Sequence, residues 1–115
     1  MTMNEKRKHF RKSATAEAAI ADITGNTWIA VDFLDISRNG VAFISPDEQT
    51  TGSSRMLRFL LPGSEKRIAV ICRIVYASPH IFLAGYRIGA EFVRIDEVDW
   101  QTIEAFINIA TEIEP

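Results

Sequence analysis

The chain has 115 residues, of which 47% are hydrophobic and 24% charged, and a net charge of −2; this composition is ordinary for a globular protein and the length is typical of a single domain. Its one cysteine, Cys72, excludes an intramolecular disulfide and a cysteine-based zinc cluster. The sequence has no apolar run that could span a membrane, and residues 1–12 lack the apolar stretch of a signal peptide, so we expect a cytoplasmic protein without membrane insertion.

Positive charge is concentrated near the start of the chain, in the segment KRKHFRK at residues 6–12. Five cations there oppose the single carboxylate of Glu5, so residues 5–12 carry +4 and the rest of the chain carries −6. A basic segment on an acidic body is typical of a tail that binds an anion. A tail that only keeps the N-terminus solvated has the same composition, so the charge pattern leaves both interpretations open.

The central part of the chain, residues 14–93, shows the two-residue periodicity of β-strands separated by turn signals. In chain order the predicted strands are an alanine-rich segment at 15–23, TWIAVDFL at 27–34, GVAFIS at 40–45, SSRMLRFL at 53–60, KRIAVICRIVY at 66–76 and YRIGAEFV at 86–93. The alternation predicts an inward face in four of these strands, including that formed by Ile68, Val70, Cys72, Ile74 and Tyr76. The opposite face of the strand at 66–76 is mixed, which leaves open whether both of its sides are covered. Strands this regular, without helices between them, favour an antiparallel barrel or sandwich.

The periodicity changes from two to that of a helix after Asp96, a predicted N-cap. The segment that follows, residues 97–114, places five apolar residues on one helical stripe: Trp100, Ile103, Phe106, Ile107 and Ala110. We expect this stripe to lie against the strands. The predicted organisation is therefore a flexible basic tail at 1–13, a barrel at 14–95 and a C-terminal helix at 96–113.

Two arginines in the tail, Arg7 and Arg11, are four residues apart, a spacing that places both on one face of either a helix or an extended chain. The planar guanidinium group donates two parallel hydrogen bonds. It therefore suits a phosphate group or the O6/N7 edge of guanine. Lysine supplies charge without this geometry.

The segment DISRNG, residues 35–40, supplies complementary groups. The Asp35 carboxylate accepts hydrogen bonds from the N–H groups of guanine, Ser37 donates or accepts, and Gly40 allows a close approach to the backbone. The alternative is a tight turn around Asn39 and Gly40, in which the side chains bond to nearby backbone groups. A second alternative concerns Arg38, which either contacts the ligand or is simply solvated.

Together, Lys6-Arg7-x-x-x-Arg11 and Asp35-x-Ser37-x-x-Gly40 resemble the signature of the PilZ domain family, RxxxR followed by [D/N]xSxxG. The resemblance extends to the strand YRIGAEF and to the C-terminal helix, and so covers about residues 6–109. It implies a six-stranded antiparallel β-barrel of the PilZ type, also described as a split barrel, that binds cyclic di-GMP.

Carried over by position, the resemblance implies that cyclic di-GMP contacts Arg7, Arg11, Asp35, Ser37 and Gly40, with Lys6, Arg38 and Asn39 as possible additional contacts. Many members have arginine where this chain has Lys6, and this difference leaves open whether one or two nucleotides bind. We expect a receptor that signals to an unidentified effector protein, as a monomer or a homodimer. The downstream pathway stays open, whether motility, exopolysaccharide, pili or virulence.

Other functions have weaker support in the sequence. His9 and His80 are too isolated to form a catalytic pair, and Cys72 is expected to be a small core residue. We therefore expect no catalytic residues, no metal and no cofactor other than the ligand. A PilZ-fold module that binds protein instead of nucleotide is the main alternative, whereas the acidic remainder disfavours a long nucleic acid.

Overall fold

The computed structural model describes residues 12–13, 16–80 and 84–113, with side chains described from residue 16 to residue 108 within these ranges. It contains short and long strands followed by one helix. The elements are β1 (Lys12–Ser13), β2 (Glu17–Ala21), β3 (Ile29–Ile36), β4 (Gly40–Ser45), β5 (Ser54–Leu60), β6 (Ile68–Pro79), β7 (Tyr86–Arg94) and α1 (Glu97–Ile113).

Six of these strands close into an antiparallel barrel. Their order is β3-β2-β5-β6-β7-β4, and a further pairing between β3 and β4 completes the ring. The two-residue strand β1 pairs with the end of β3, whereas β2 pairs with its beginning, so both lie along the same side of β3. The structure confirms the predicted six-stranded antiparallel barrel with one C-terminal helix.

The interior of the barrel is filled by alternate side chains from every strand of the ring. Fully buried members include Phe43, Leu57, Phe59 and Ile68, and the rings of Phe33 and Phe59 meet with centroids 5.5 Å apart. Burial of each large apolar side chain contributes about 1.5–3 kcal/mol relative to its exposure. These buried residues confirm the inward faces predicted for the segments at 27–34 and 53–60, which form β3 and β5.

The helix α1 covers one end of the barrel. It begins directly after Asp96, whose carbonyl oxygen accepts the first helical hydrogen bond, from the backbone N–H of Trp100 at 2.9 Å. Ile103 and Ile107 are buried in the barrel core and Phe106 packs against it, as predicted for these members of the apolar stripe. The side chain of Ala110 lies outside the described residues. In the part of the chain that the structure describes, no helix has the length and apolar character needed to cross a membrane.

Of the three register shifts between the described strands, two decide the orientation of residues discussed below. In β3 the register with β4 shifts between Phe33 and Asp35, so that Phe33 points inward and Asp35 outward. In β6 the register with β7 shifts between Ile74 and Tyr76. The predicted inward position of Tyr76 is therefore wrong: this side chain is 41% exposed, because the extra residue of a bulge reverses the alternation beyond it.

Candidate ligand-binding site

The segment DISRNG forms the end of β3, a tight turn and the start of β4. Within it the backbone N–H of Ser37 donates to the carbonyl oxygen of Gly40 at 2.8 Å. The Ser37 hydroxyl donates to the same oxygen at 3.4 Å and accepts from the backbone N–H of Asn39 at 3.3 Å. Ser37 is only 2% exposed, so in this structure its hydroxyl stabilises the turn that holds the loop in shape.

Glycine is required at position 40 because the backbone of the paired strand β7 lies very close. A Cβ atom at this position would lie 2.1 Å from the carbonyl oxygen of Ala90 on β7. The φ angle of Gly40 is not positive, in contrast to Gly25, Gly52, Gly63 and Gly85, so backbone conformation is not the reason for glycine here. The close approach that excludes a side chain is that of the β7 backbone.

Asp35 lies on the outer surface of the barrel, where the β3 bulge directs its side chain. Its carboxylate is 17% exposed, and its Oδ2 atom lies 3.9 Å from Nη2 of Arg87 on β7. Arg87 in turn donates from Nε to the hydroxyl oxygen of Tyr76 on β6, at 3.2 Å. These three side chains border a surface groove of about 320 Å³, which is near the lower limit of small-molecule sites.

The loop also contacts the C-terminal helix α1 and the strand β7. Arg38 forms an ion pair with Glu104 of α1, with Nη2 and Oε2 3.0 Å apart. The carbonyl oxygen of Asn39 accepts a hydrogen bond from the backbone N–H of Phe92 at 2.8 Å. Arg38 is therefore not merely solvated, because its side chain joins the loop to α1.

The predicted arginines of the tail, Arg7 and Arg11, lie outside the described residues, as does Lys6. The next residue in the chain, Lys12, pairs with Ile36, and Ser13 pairs with Asp35. Lys12 and Ser13 therefore lie beside DISRNG and pair with the first two residues of that segment. The pairing thus brings the residue that directly follows the RxxxR motif in sequence beside DISRNG.

Metal ligands and a reactive thiol are two kinds of group for which the described side chains give information. Among these side chains, no group of three or more histidine, cysteine, aspartate or glutamate residues is arranged to hold a metal ion. Cys72 is fully buried, as predicted for a core residue, and burial raises the pKa of its thiol to about 12. A protonated thiol is a poor nucleophile at neutral pH. His9 lies outside the described residues, and His80 lies after the end of β6, where its backbone N–H donates to Gly85.

Sequence reasoning missed Arg87 and the outward position of Tyr76. One signal was present: Gly89 interrupts the strand YRIGAEFV, and a glycine inside a strand often marks a close approach by another group. The group is the ring of Tyr76, which would lie 2.1 Å from a Cβ atom at Gly89. The alternation within a single strand could not have identified this neighbour.

Comparison with solved structures supports the same architecture. The chain is similar to the Bacillus subtilis inhibitor of motility, MotI/DgrA, at 18% identity and a TM-score of 0.79, covering 96% of this chain and 53% of that one. It is also similar to Escherichia coli YcgR in complex with c-di-GMP, at 16% identity and a TM-score of 0.73, covering 93% and 46%.

A third similar structure is the PilZ domain of Escherichia coli YcgR with c-di-GMP, at 12% identity and a TM-score of 0.68, covering 89% of this chain and 88% of that domain. The chain thus spans about half the length of MotI/DgrA and of the longer YcgR structure. No curated protein gives a significant match in sequence.

The sequence profile of the PilZ domain matches residues 5–108. This range contains both motifs, all the strands of the barrel and most of α1. The chain belongs to the PilZ domain family.

Proposed function

We propose that this chain is a non-enzymatic receptor for cyclic di-GMP that changes conformation on binding and thereby signals to a partner protein. The observation that carries the proposal is the pairing of Lys12 and Ser13 with Ile36 and Asp35. It fixes Lys12, the residue directly after Arg11 in the sequence, beside the DISRNG loop. A ligand bound at that loop lies within reach of both motifs.

The chemistry of the two motifs matches the two parts of such a ligand. Arg7 and Arg11 supply guanidinium groups for phosphates or for the O6/N7 edge of guanine. Asp35 supplies acceptors for guanine N–H groups. The YcgR structures that this chain resembles contain c-di-GMP, which supports the same ligand here. Ser37 and Gly40 act in this proposal by shaping the loop, and Lys6 and Asn39 as further contacts.

The conformational response is proposed to start at the loop and the tail. In our proposal the part of the tail before Lys12 becomes ordered around the ligand, which typically costs about 2–5 kcal/mol of the contact energy. Arg38 provides a second route, because its ion pair with Glu104 joins the loop to α1. A ligand that attracts Arg38 changes the surface presented by the helix at 96–113, while the barrel at 14–95 stays fixed.

Isothermal titration calorimetry of the whole chain with cyclic di-GMP tests the proposal. We expect binding in the micromolar range or tighter, and a large loss of affinity in Arg7→Ala and in Arg11→Ala. The stoichiometry distinguishes one bound nucleotide from two. The absence of any heat or affinity would refute the receptor role and favour a protein-interaction module with the same fold.

A further inference from the structure

A row of residues in register crosses four strands on the outside of the barrel. Asp35 of β3 pairs with Ala42 of β4, Ala42 with Gly89 of β7, and Gly89 with Tyr76 of β6. Paired residues on adjacent strands share one face of a sheet. The row therefore has a large side chain at each end and two small residues between them, which produces the groove described above.

Arg87 is held at one side of this groove by two contacts of its guanidinium group. It lies two residues before Gly89 on β7, on the same face. Its Nε donates to the Tyr76 hydroxyl at 3.2 Å and its Nη2 lies 3.9 Å from Asp35 Oδ2. The side chain is still 43% exposed, so the guanidinium group is both oriented and accessible.

The bulge in β6 and the glycine in β7 are the reasons for this orientation. The bulge turns Tyr76 outward, and the absence of a side chain at Gly89 allows its ring to lie close to the β7 backbone. The hydroxyl then reaches Arg87. Tyr76 is in this sense a positioning residue for the arginine.

Asp35 and Arg87 together present a pattern of hydrogen-bonding groups that complements guanine. The Watson–Crick edge of guanine carries two neighbouring donors, N2–H and N1–H, followed by the acceptor O6. A carboxylate accepts from two donors, and an adjacent guanidinium group donates to the acceptor. Adenine presents its N6 amino donor where guanine has O6, and this donor would face the donors of Arg87. The pair therefore discriminates between the two purines.

We propose that Arg87 is a further ligand-binding residue and that, with Asp35, it reads the Watson–Crick edge of one guanine. This inference rests on the proposed function and adds the source of its base specificity. It also places a guanidinium group on the barrel itself. Part of the base specificity then comes from the barrel, in addition to the guanine contacts proposed for Arg7 and Arg11.

The experiment compares cyclic di-GMP and cyclic di-AMP by calorimetry on the whole chain and on Arg87→Ala. A charge-assisted hydrogen bond lost from the site corresponds to a loss of about 10-fold or more in affinity. We expect a loss of that size for cyclic di-GMP and no loss for cyclic di-AMP, because the adenine N6 donor accepts no hydrogen bond from Arg87. The selectivity ratio should therefore fall by about 10-fold as well.

Arg58→Ala is the matched control, because it removes the same charge from an outward position on β5. That strand lies opposite β4 in the ring, and Arg58 contacts Trp28, with its guanidinium carbon 4.2 Å from the ring centroid. We expect its affinity for cyclic di-GMP to stay within about 2-fold of wild type, since exposed charges separated by more than a Debye length are largely screened. Arg87→Met, which keeps much of the aliphatic stem, is measured in parallel in case Arg87→Ala fails to fold.

The outcomes separate the two proposals. If the wild-type chain binds cyclic di-GMP and both Arg87 variants keep its affinity and selectivity, the role of Arg87 is refuted while the receptor function stands. Equal losses in Arg87→Ala and Arg58→Ala would also refute it, because they indicate a general effect of charge. If the wild-type chain does not bind cyclic di-GMP, both proposals fail.

Discussion

The ring of Tyr76 lies against the backbone of Gly89, so close that a Cβ atom there would be 2.1 Å from the ring. This contact joins β6 to β7 at the groove and supports Arg87 through the Tyr76 hydroxyl. It depends on a bulge in one strand and a glycine in the other. Neither feature would produce the contact alone.

Gly89→Ala should therefore displace the Tyr76 ring and lower the free energy of unfolding by about 1–3 kcal/mol. The ring is a side chain and can move, so we expect destabilisation and not complete unfolding. Urea denaturation measures the change. In a Tyr76→Ala background the clash is absent, and the same substitution should be neutral or stabilising by up to about 1 kcal/mol, because alanine restricts the unfolded chain. An equal cost in both backgrounds would contradict the role of the ring.

Gly40→Ala should be more damaging, because the atom that the new Cβ meets belongs to the backbone. The carbonyl oxygen of Ala90 would lie 2.1 Å away, and β4 and β7 are paired along the strand that follows this contact. We expect a loss of about 3 kcal/mol or more in the free energy of unfolding, a size typical of severe core defects.

The matched control for this substitution is Gly63→Ala. Gly63 has a φ of +83°, and a Cβ atom at this position would have no other group within 4 Å, so only backbone strain of about 1–2 kcal/mol is expected. Chemical denaturation of both variants provides the comparison. If Gly40→Ala were no less stable than Gly63→Ala, the packing argument would be wrong. If it is less stable, a loss of ligand binding in Gly40→Ala reports on folding and not on a ligand contact.

The buried thiol of Cys72 gives the stability of the barrel a dependence on alkaline pH. Burial raises the pKa of this thiol from 9.0 to about 12. Below pH 9 the thiol is protonated in both states and has no effect. Between about pH 9 and pH 12 the unfolded chain loses the proton and the folded chain keeps it, so the free energy of unfolding falls as pH rises, by up to about 1.4 kcal/mol per pH unit.

Cys72→Ala separates this effect from the titration of lysine, tyrosine and arginine side chains. The variant should lose less stability than wild type when the pH is raised from about 9 to about 11, although it is less stable at neutral pH because a buried side chain is truncated. Urea denaturation at several pH values measures both slopes. Parallel slopes would mean that the thiol does not titrate differently in the folded and unfolded states.

The sequence predicted the barrel well where packing follows from each strand alone. The alternation in SSRMLRFL placed Leu57 and Phe59 on one face, and both are fully buried, because every second residue of a strand faces the same side. The predicted position of Tyr76 was wrong because it depends on the partner strand as well as on its own. A bulge is a property of the pairing between two strands, and the number of residues facing each other is not visible in either strand by itself.

One part of the candidate site could likewise be predicted from the sequence and another part could not. The DISRNG turn was predictable, since Ser37, Asn39 and Gly40 interact within a few residues of one another. The proximity of Asp35 and Arg87 was not, because it requires β4 to lie between β3 and β7 in the assembled ring. Short motifs therefore identified the loop and left the opposite side of the groove unassigned.

The ion pair between Arg38 and Glu104 connects the loop to α1, and it should be weak in the free protein. Their side chains are 46% and 27% exposed, and exposed pairs typically contribute about 0.2–1 kcal/mol. A double-mutant cycle with Arg38→Ala and Glu104→Gln, measured by urea denaturation, should give a coupling energy in that range. In the proposed mechanism the ligand competes with Glu104 for Arg38. Glu104→Gln should then raise the affinity for cyclic di-GMP by up to about 5-fold, which corresponds to about 1 kcal/mol.

The control for this last effect is Glu17→Gln, which removes a carboxylate from another exposed ion pair, that with Arg67. It changes the net charge by the same amount without touching the loop or α1. Calorimetry should give nearly unchanged affinity for this variant. An equal gain in Glu17→Gln and Glu104→Gln would indicate a general attraction for the anionic ligand. An affinity unchanged in Glu104→Gln would mean that Arg38 keeps its helix contact when the ligand binds, and that the loop and α1 are not coupled through this pair.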